Sequence, residues 1–129
     1  MAGVSIRSLS KEYVQDDKHV LAVSNVNLEI ADGEFVCVVG HSGCGKTTLL
    51  KALNGTLPLA AGTILLGDRR LADYSRREIA RMVAVVAQET ETSFPVSALE
   101  FVLAGRFAHG AAFGWESAAD HSVARTALE

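Results

Sequence analysis

Apolar positions along this chain fall into three kinds of pattern. Asn25-Val26-Asn27-Leu28-Glu29-Ile30 alternates polar and apolar, which predicts a strand with one wet face. Val4-Ser5-Ile6 begins a shorter segment of the same kind, and Thr63-Ile64-Leu65-Leu66 predicts another strand. Phe35-Val36-Cys37-Val38-Val39 and Met82-Val83-Ala84-Val85-Val86-Ala87 are apolar throughout, as expected of parallel strands buried on both faces. Asp32-Gly33, between the first alternating run and the first continuous one, is a hairpin-turn signal.

The third pattern has a helical period. Leu49, Leu50 and Leu53 give one apolar face to a helix that begins near Lys46 and stops at Asn54-Gly55. Ser75 with Glu78 is a capping-box pair that opens a second helix. Pro95 and Ser97–Glu100 open a third, with Leu99, Val102 and Leu103 on one face and Gly105 closing it. Residues 106–116 read as loop, and Ser117–Asp120 starts a last helix with Val123, Ala124, Ala127 and Leu128 apolar. That pattern runs to Glu129 without a stop residue, so a helix cut short is expected.

Candidate chemistry sits where the first continuous run meets the first helix. Gly40-His41-Ser42-Gly43-Cys44-Gly45-Lys46-Thr47 matches G-x-x-x-x-G-K-[ST] at every fixed position. Glycines let the backbone wrap a phosphate, successive N–H groups form an anion nest, and the helix dipole adds positive potential. Lys46 supplies a full charge for the β- and γ-phosphate oxygens of ATP. The Thr47 hydroxyl is a magnesium ligand, and Thr48 adds a hydroxyl near the α-phosphate. His41 and Cys44 occupy variable positions and are expected to be bystanders. Because Cys44 lies near a helix N-terminus, which can lower a thiol pKa, its alkylation is expected to block ATP binding.

Composition narrows the setting. The chain has 129 residues, 49% of them apolar, with a net charge of −3. No Lys/Arg block argues for a nucleic-acid surface. Neither a signal peptide nor a run of about 18–20 apolar residues able to span a membrane is visible. Cys37 and Cys44 do not form a disulfide pattern, so reduced thiols and a cytoplasmic location are expected.

The stretch from Gly33 to Leu50 closely resembles the start of ABC-transporter ATPases. That resemblance implies an α/β fold: a P-loop NTPase core (residues 1–93) with an N-terminal antiparallel β element, then the start of a helical subdomain (residues 94–129), truncated. It implies that Tyr13 stacks on adenine, a flat π-face suiting a purine. It also implies that Gln88 is the Q-loop glutamine, which reaches magnesium and the attacking water and lies where the membrane subunit docks. Lys46 and Gln88 are then the catalytic residues of this chain, and Thr47 and Gln88 its metal ligands. Gly105-Arg106, Ala108-His109-Gly110 and Ala118-Ala119-Asp120 are similar to importers of iron–siderophore, haem and cobalamin.

Other parts of the family pattern do not occur in this sequence. It holds no Gly-Gly pair for the ABC signature. Gln88, uncharged, follows the second apolar run where a Walker B strand would end in a carboxylate. The resemblance implies a membrane permease and a second ATPase subunit as partners, with attachment to the inner face of the membrane through the permease. The 129 residues alone are expected to bind Mg-ATP but to turn it over little or not at all. A P-loop kinase or GTPase, and a non-catalytic ATP-binding fragment, are the alternative readings.

Overall fold

The computed structural model describes residues 3–86, 95–110 and 116–129. It divides into two compact units, 1–84 and 85–129.

The first unit is built on a long hairpin. β1 (Val4–Gln15) and β2 (Lys18–Ile30) pair antiparallel, and Asp16 and Asp17, both at positive φ (49° and 59°), make the turn. Short Asx side chains tolerate that left-handed geometry. β3 (Ala61–Leu66) adds to the other edge of β1, and the two-residue β4 (Arg69–Arg70) adds to β3, giving the order β2-β1-β3-β4. Every pairing is antiparallel.

β1 runs far beyond Val4–Ile6, where the alternation begins, and bulges break that alternation further along. The register shifts between Ile6 and Leu9 and again on both sides of Lys11. At these irregularities side chains replace lost ladder bonds: Ser8 N donates to Asn27 Oδ1 at 2.8 Å, and Asn25 N donates to Ser10 Oγ at 2.9 Å.

α1 (Lys46–Leu53) lies against this sheet. Leu49 and Ala52 join Ile6, Leu9, Val23, Ile64 and Leu66 in one core, with Leu71 and Ile79 closing it from a 3₁₀ turn (Leu71–Asp73) and from α2 (Arg76–Met82). Leu50 is instead exposed. The Ser75 capping box forms in full: Glu78 N donates to Ser75 Oγ, and Ser75 N donates to Glu78 Oε2. Those bonds and the Arg69 guanidinium hold the Glu78 carboxyl down at about 2.

The two continuous apolar runs depart from expectation. Residues 34–40 and 83–86 are not strands, and no described strand pair is parallel. Phe35 is 93% exposed, Val39 85% and Val86 98%. A parallel strand needs partners on both sides and helices on both faces; none of the described strands takes that place. The Asp32-Gly33 turn does form, closed by Glu34 N donating to Ala31 O at 3.1 Å, but it leads into extended, unpaired chain.

The second unit holds α3 (Ala98–Ala104) and α4 (Ala118–Leu128), as the sequence predicts. Leu103, Ala108 and Ala124 are buried, while Val123 and Leu128 are largely exposed. Asp120 ties the unit together. Its carboxylate accepts from Ser117 N and Oγ at the head of α4, and from Arg106 Nε at 2.9 Å beyond α3. The Ser117 bonds, then Arg106, hold its carboxyl at about 2, below the usual 3.8. A depressed carboxyl stabilises the fold above its unfolded pKa, and the effect is lost as pH falls through the folded value. Replacing Asp120 by Asn should therefore lower the melting temperature at pH 5, with the gap to the native chain closing between pH 4 and 2. A gap that persists at pH 2 would show that Asp120 acts through packing alone.

Candidate functional site

The phosphate loop runs from exposed chain into α1. Gly43 (φ 80°) and Gly45 (φ 95°) both adopt the left-handed region that the loop's reversal requires. Gly45 is constrained a second time: a Cβ there would lie 2.5 Å from Ala22 O and 3.2 Å from the Val23 side chain of β2. The loop is therefore seated on β2 at a point that only glycine allows. At Gly40 a Cβ would meet Cys44 Sγ at 2.6 Å, so the thiol packs over that residue.

Lys46 fills the centre of the loop. Its ammonium donates to Gly40 O at 2.7 Å and to His41 O at 2.8 Å, and lies 3.5 Å from Cys44 Sγ. His41 turns its ring to its own neighbour, with Nδ1 2.8 Å from Ser42 O. Gly45 is the N-cap of α1 and no side chain caps it. The first amides of a helix have no intrahelical acceptor, so these point at whatever lies in front of the loop. Thr47, in the first turn, is exposed; Thr48 is half-buried.

The geometry suits a nucleotide triphosphate. Uncapped amides and an ammonium held by two carbonyls and a thiol sulfur can turn to phosphate oxygens. A divalent ion fits less directly on protein alone: no group of three or more His, Cys, Asp or Glu side chains that could hold a metal occurs among the described residues. A hydroxyl such as Thr47 suits magnesium, which keeps most of its shell as water and phosphate oxygen. Gln88 lies outside the described residues.

Tyr13 stands on β1 opposite Val20 of β2, two residues from Ala22, where the loop touches the strand. Its ring is partly exposed, and Lys11 places its ammonium 5.2 Å from the ring centroid. Ala22 and Val23, against which the loop rests, were not legible as site residues; the signal for them was the apolar run 20–23 on that strand. Cys37 and Cys44 are both free and exposed.

The ABC transporter family model matches residues 23–128. This chain belongs to that family. Among curated relatives it is 47% identical over 83 residues to the hemin import ATP-binding protein HmuV of Rhodopseudomonas palustris strain HaA2, a match covering 64% of this chain and 32% of that protein. It is 47% identical over 88 residues to the osmoprotective compounds uptake ATP-binding protein GgtA of Synechocystis, covering 68% and 23%. The matched stretch is thus about a third or less of these relatives' length.

Among solved structures, the ATP-binding cassette MJ0796, a dimer in a post-hydrolysis state bound to ADP and Pi, superposes with a TM-score of 0.77 at 25% identity, over 97% of this chain and 55% of that one. A transporter assigned to the metal-chelate type, in an inward-facing conformation, gives 0.71 at 26% identity, over 99% and 45%. The ABC cassette fold therefore holds for this chain, with its antiparallel sheet and helices. No described helix is long and apolar enough to cross a membrane.

Proposed function

We propose that this chain is the nucleotide-binding front of an ATPase subunit that drives an ABC importer for a metal chelate such as haem. The observation that carries the reading is the phosphate loop itself: uncapped amides of α1 around the Lys46 ammonium, on a backbone that only glycines permit. Tyr13 stacks the adenine. Residues 40–48 take the phosphates, with Lys46 leaving the carbonyls of Gly40 and His41 for the β- and γ-phosphate oxygens. Thr47 and Gln88 contact magnesium, whose charge offsets that of the phosphates, and Gln88 senses the γ-phosphate.

In this reading the chain works with a membrane permease and a second ATPase subunit on the cytoplasmic face, with residues 1–93 as nucleotide core and 94–129 as the start of the helical arm. The haem assignment is supported by the relatives named for hemin import and by Gly105-Arg106 with Ala108-His109-Gly110. The relatives named for osmoprotectant and choline transport favour a second reading, an importer of small organic solutes.

Titration of the chain with Mg-ATP and Mg-GTP tests the nucleotide half of the reading. ATP should bind more tightly, and Tyr13→Ala should weaken ATP by roughly tenfold, since stacking on one aromatic is worth about 1–3 kcal/mol. Equal affinities that Tyr13→Ala leaves alone would instead point to another P-loop class. Turnover of the 129 residues above about 1 per second, the low end for phosphoryl-transfer enzymes, would overturn the view that they bind without effective hydrolysis.

A further inference from the structure

A cavity of about 600 Å³ opens at the far end of α1 from the phosphate loop. Its floor is apolar: Ala52 at the end of α1, Leu57 and Leu59 in the loop that follows, Ile64 of β3, and Ile79 of α2. Its size falls within the range of small-molecule sites, about 300–1,000 Å³.

Charge at this cavity is one-sided. Arg70 and Arg76 line it, and no Asp or Glu does. Both arginines are exposed, and neither guanidinium is tied to another described residue by a hydrogen bond or ion pair. The neighbouring Arg69 is different. It pairs with Glu78 at 3.1 Å and lies 4.2 Å over the Tyr74 ring, so its charge is already answered. The Tyr74 hydroxyl is also committed, donating to Leu66 O at 3.0 Å. Two guanidinium groups without a partner among the described residues therefore line an apolar bowl that no described carboxylate lines.

We infer that this cavity binds a small amphiphilic anion, an apolar body carrying a phosphate or carboxylate head, with the body on Ile64 and Ile79 and the head between Arg70 and Arg76. Guanidinium forks suit such oxyanions because two N–H groups reach two oxygens in one plane. The apolar floor adds affinity that an inorganic anion cannot gain. The site is separate from the nucleotide reading and stands or falls without it.

The test uses octyl phosphate as probe, with inorganic phosphate and octanol as its two halves, followed by calorimetry and by NMR of the Ile64 and Ile79 methyl groups. Octyl phosphate should bind saturably and shift both methyls, and each half alone at the same concentration should do neither. Replacing Arg70 and Arg76 together by Met should weaken binding at least tenfold while circular dichroism stays unchanged. Ala72→Trp, which fills the cavity from an exposed lining position, should abolish binding without touching either charge. Octanol binding as well as octyl phosphate, or an unaffected double variant, would overturn the inference. So would displacement by Mg-ATP, which would place the probe in the phosphate loop. Capture by phosphatidate vesicles without binding of free octyl phosphate would also overturn it, since it would show a flat cationic surface and not a cavity.

Discussion

Lys46→Ala is expected to remove nucleotide binding from this chain while leaving its fold intact. The ammonium sits at the loop's centre, donating to Gly40 O and His41 O, and nothing else among the loop's side chains carries a full positive charge. A hydrogen bond to a charged group contributes about 1.5–3 kcal/mol, and Lys46 faces more than one phosphate oxygen. The loss should thus be at least tenfold and is more than a hundredfold if two such bonds are made, at about 1.4 kcal/mol per factor of ten. The fold should be indifferent, because Gly40 and His41 are exposed and water can take over their carbonyls. Calorimetric titration with Mg-ATP, beside circular dichroism of both proteins, reads the two claims separately. Affinity unchanged by the substitution would mean that ATP binds elsewhere. No binding by the native chain, together with weak cooperative structure, would mean that the loop needs more of the cassette around it.

The second large effect is on stability. Leu9 is fully buried, and with Ile6 it is one of the two largest side chains wholly sealed in the core of the first unit. It lies on an inner strand of the four-stranded sheet, between two register shifts. Shortening it to Ala removes most of its apolar contact and leaves a cavity beneath a bulged, weakly adaptable stretch. Such truncations cost about 2–5 kcal/mol, against a total stability of roughly 5–15 kcal/mol for a native domain. Urea unfolding should show a clearly lower midpoint, with the chain partly unfolded at room temperature at the upper end of that cost. Leu50→Ala, at an exposed position of the adjacent helix, is the control and should shift the midpoint little. If the two variants behave alike, the core is not where the structure places it.

Local signals were the legible part of this fold. The Ser75, Ser97 and Ser117 caps each set a helix start that a three-residue spacing already announces, and Gly55 at φ 73° follows the end of α1 as its sequence predicts. The loop from Gly40 to Thr48 is legible for the same reason: its demands on φ and charge are met within nine adjacent residues. What depended on distant partners was harder to read. β1 looked short because bulges at Ser8 and near Lys11 break the alternation that marks a strand. Phe35–Val39 and Val83–Val86 show the opposite error. An apolar run records what a segment would bury, not whether anything in this chain is there to bury it. The resemblance singled out Tyr13, but the register that sets it opposite Val20 is contained in no single-strand pattern.

The contact of Gly45 with Ala22 has a mechanical consequence. Tyr13 stands in register with Val20, and two residues further along the same strand the phosphate loop rests on the backbone. In the proposed reading, the platform for the base and the cradle for the phosphates are thus bolted to one short rail. Their spacing is a property of β2 and not of the irregular chain between Ile30 and Gly40. A nucleotide offered to this chain meets a ruler whose two marks are already cut. Insertions in the 31–39 segment should leave that gauge unaltered, whereas a single residue added between Val20 and Ala22 would spoil it.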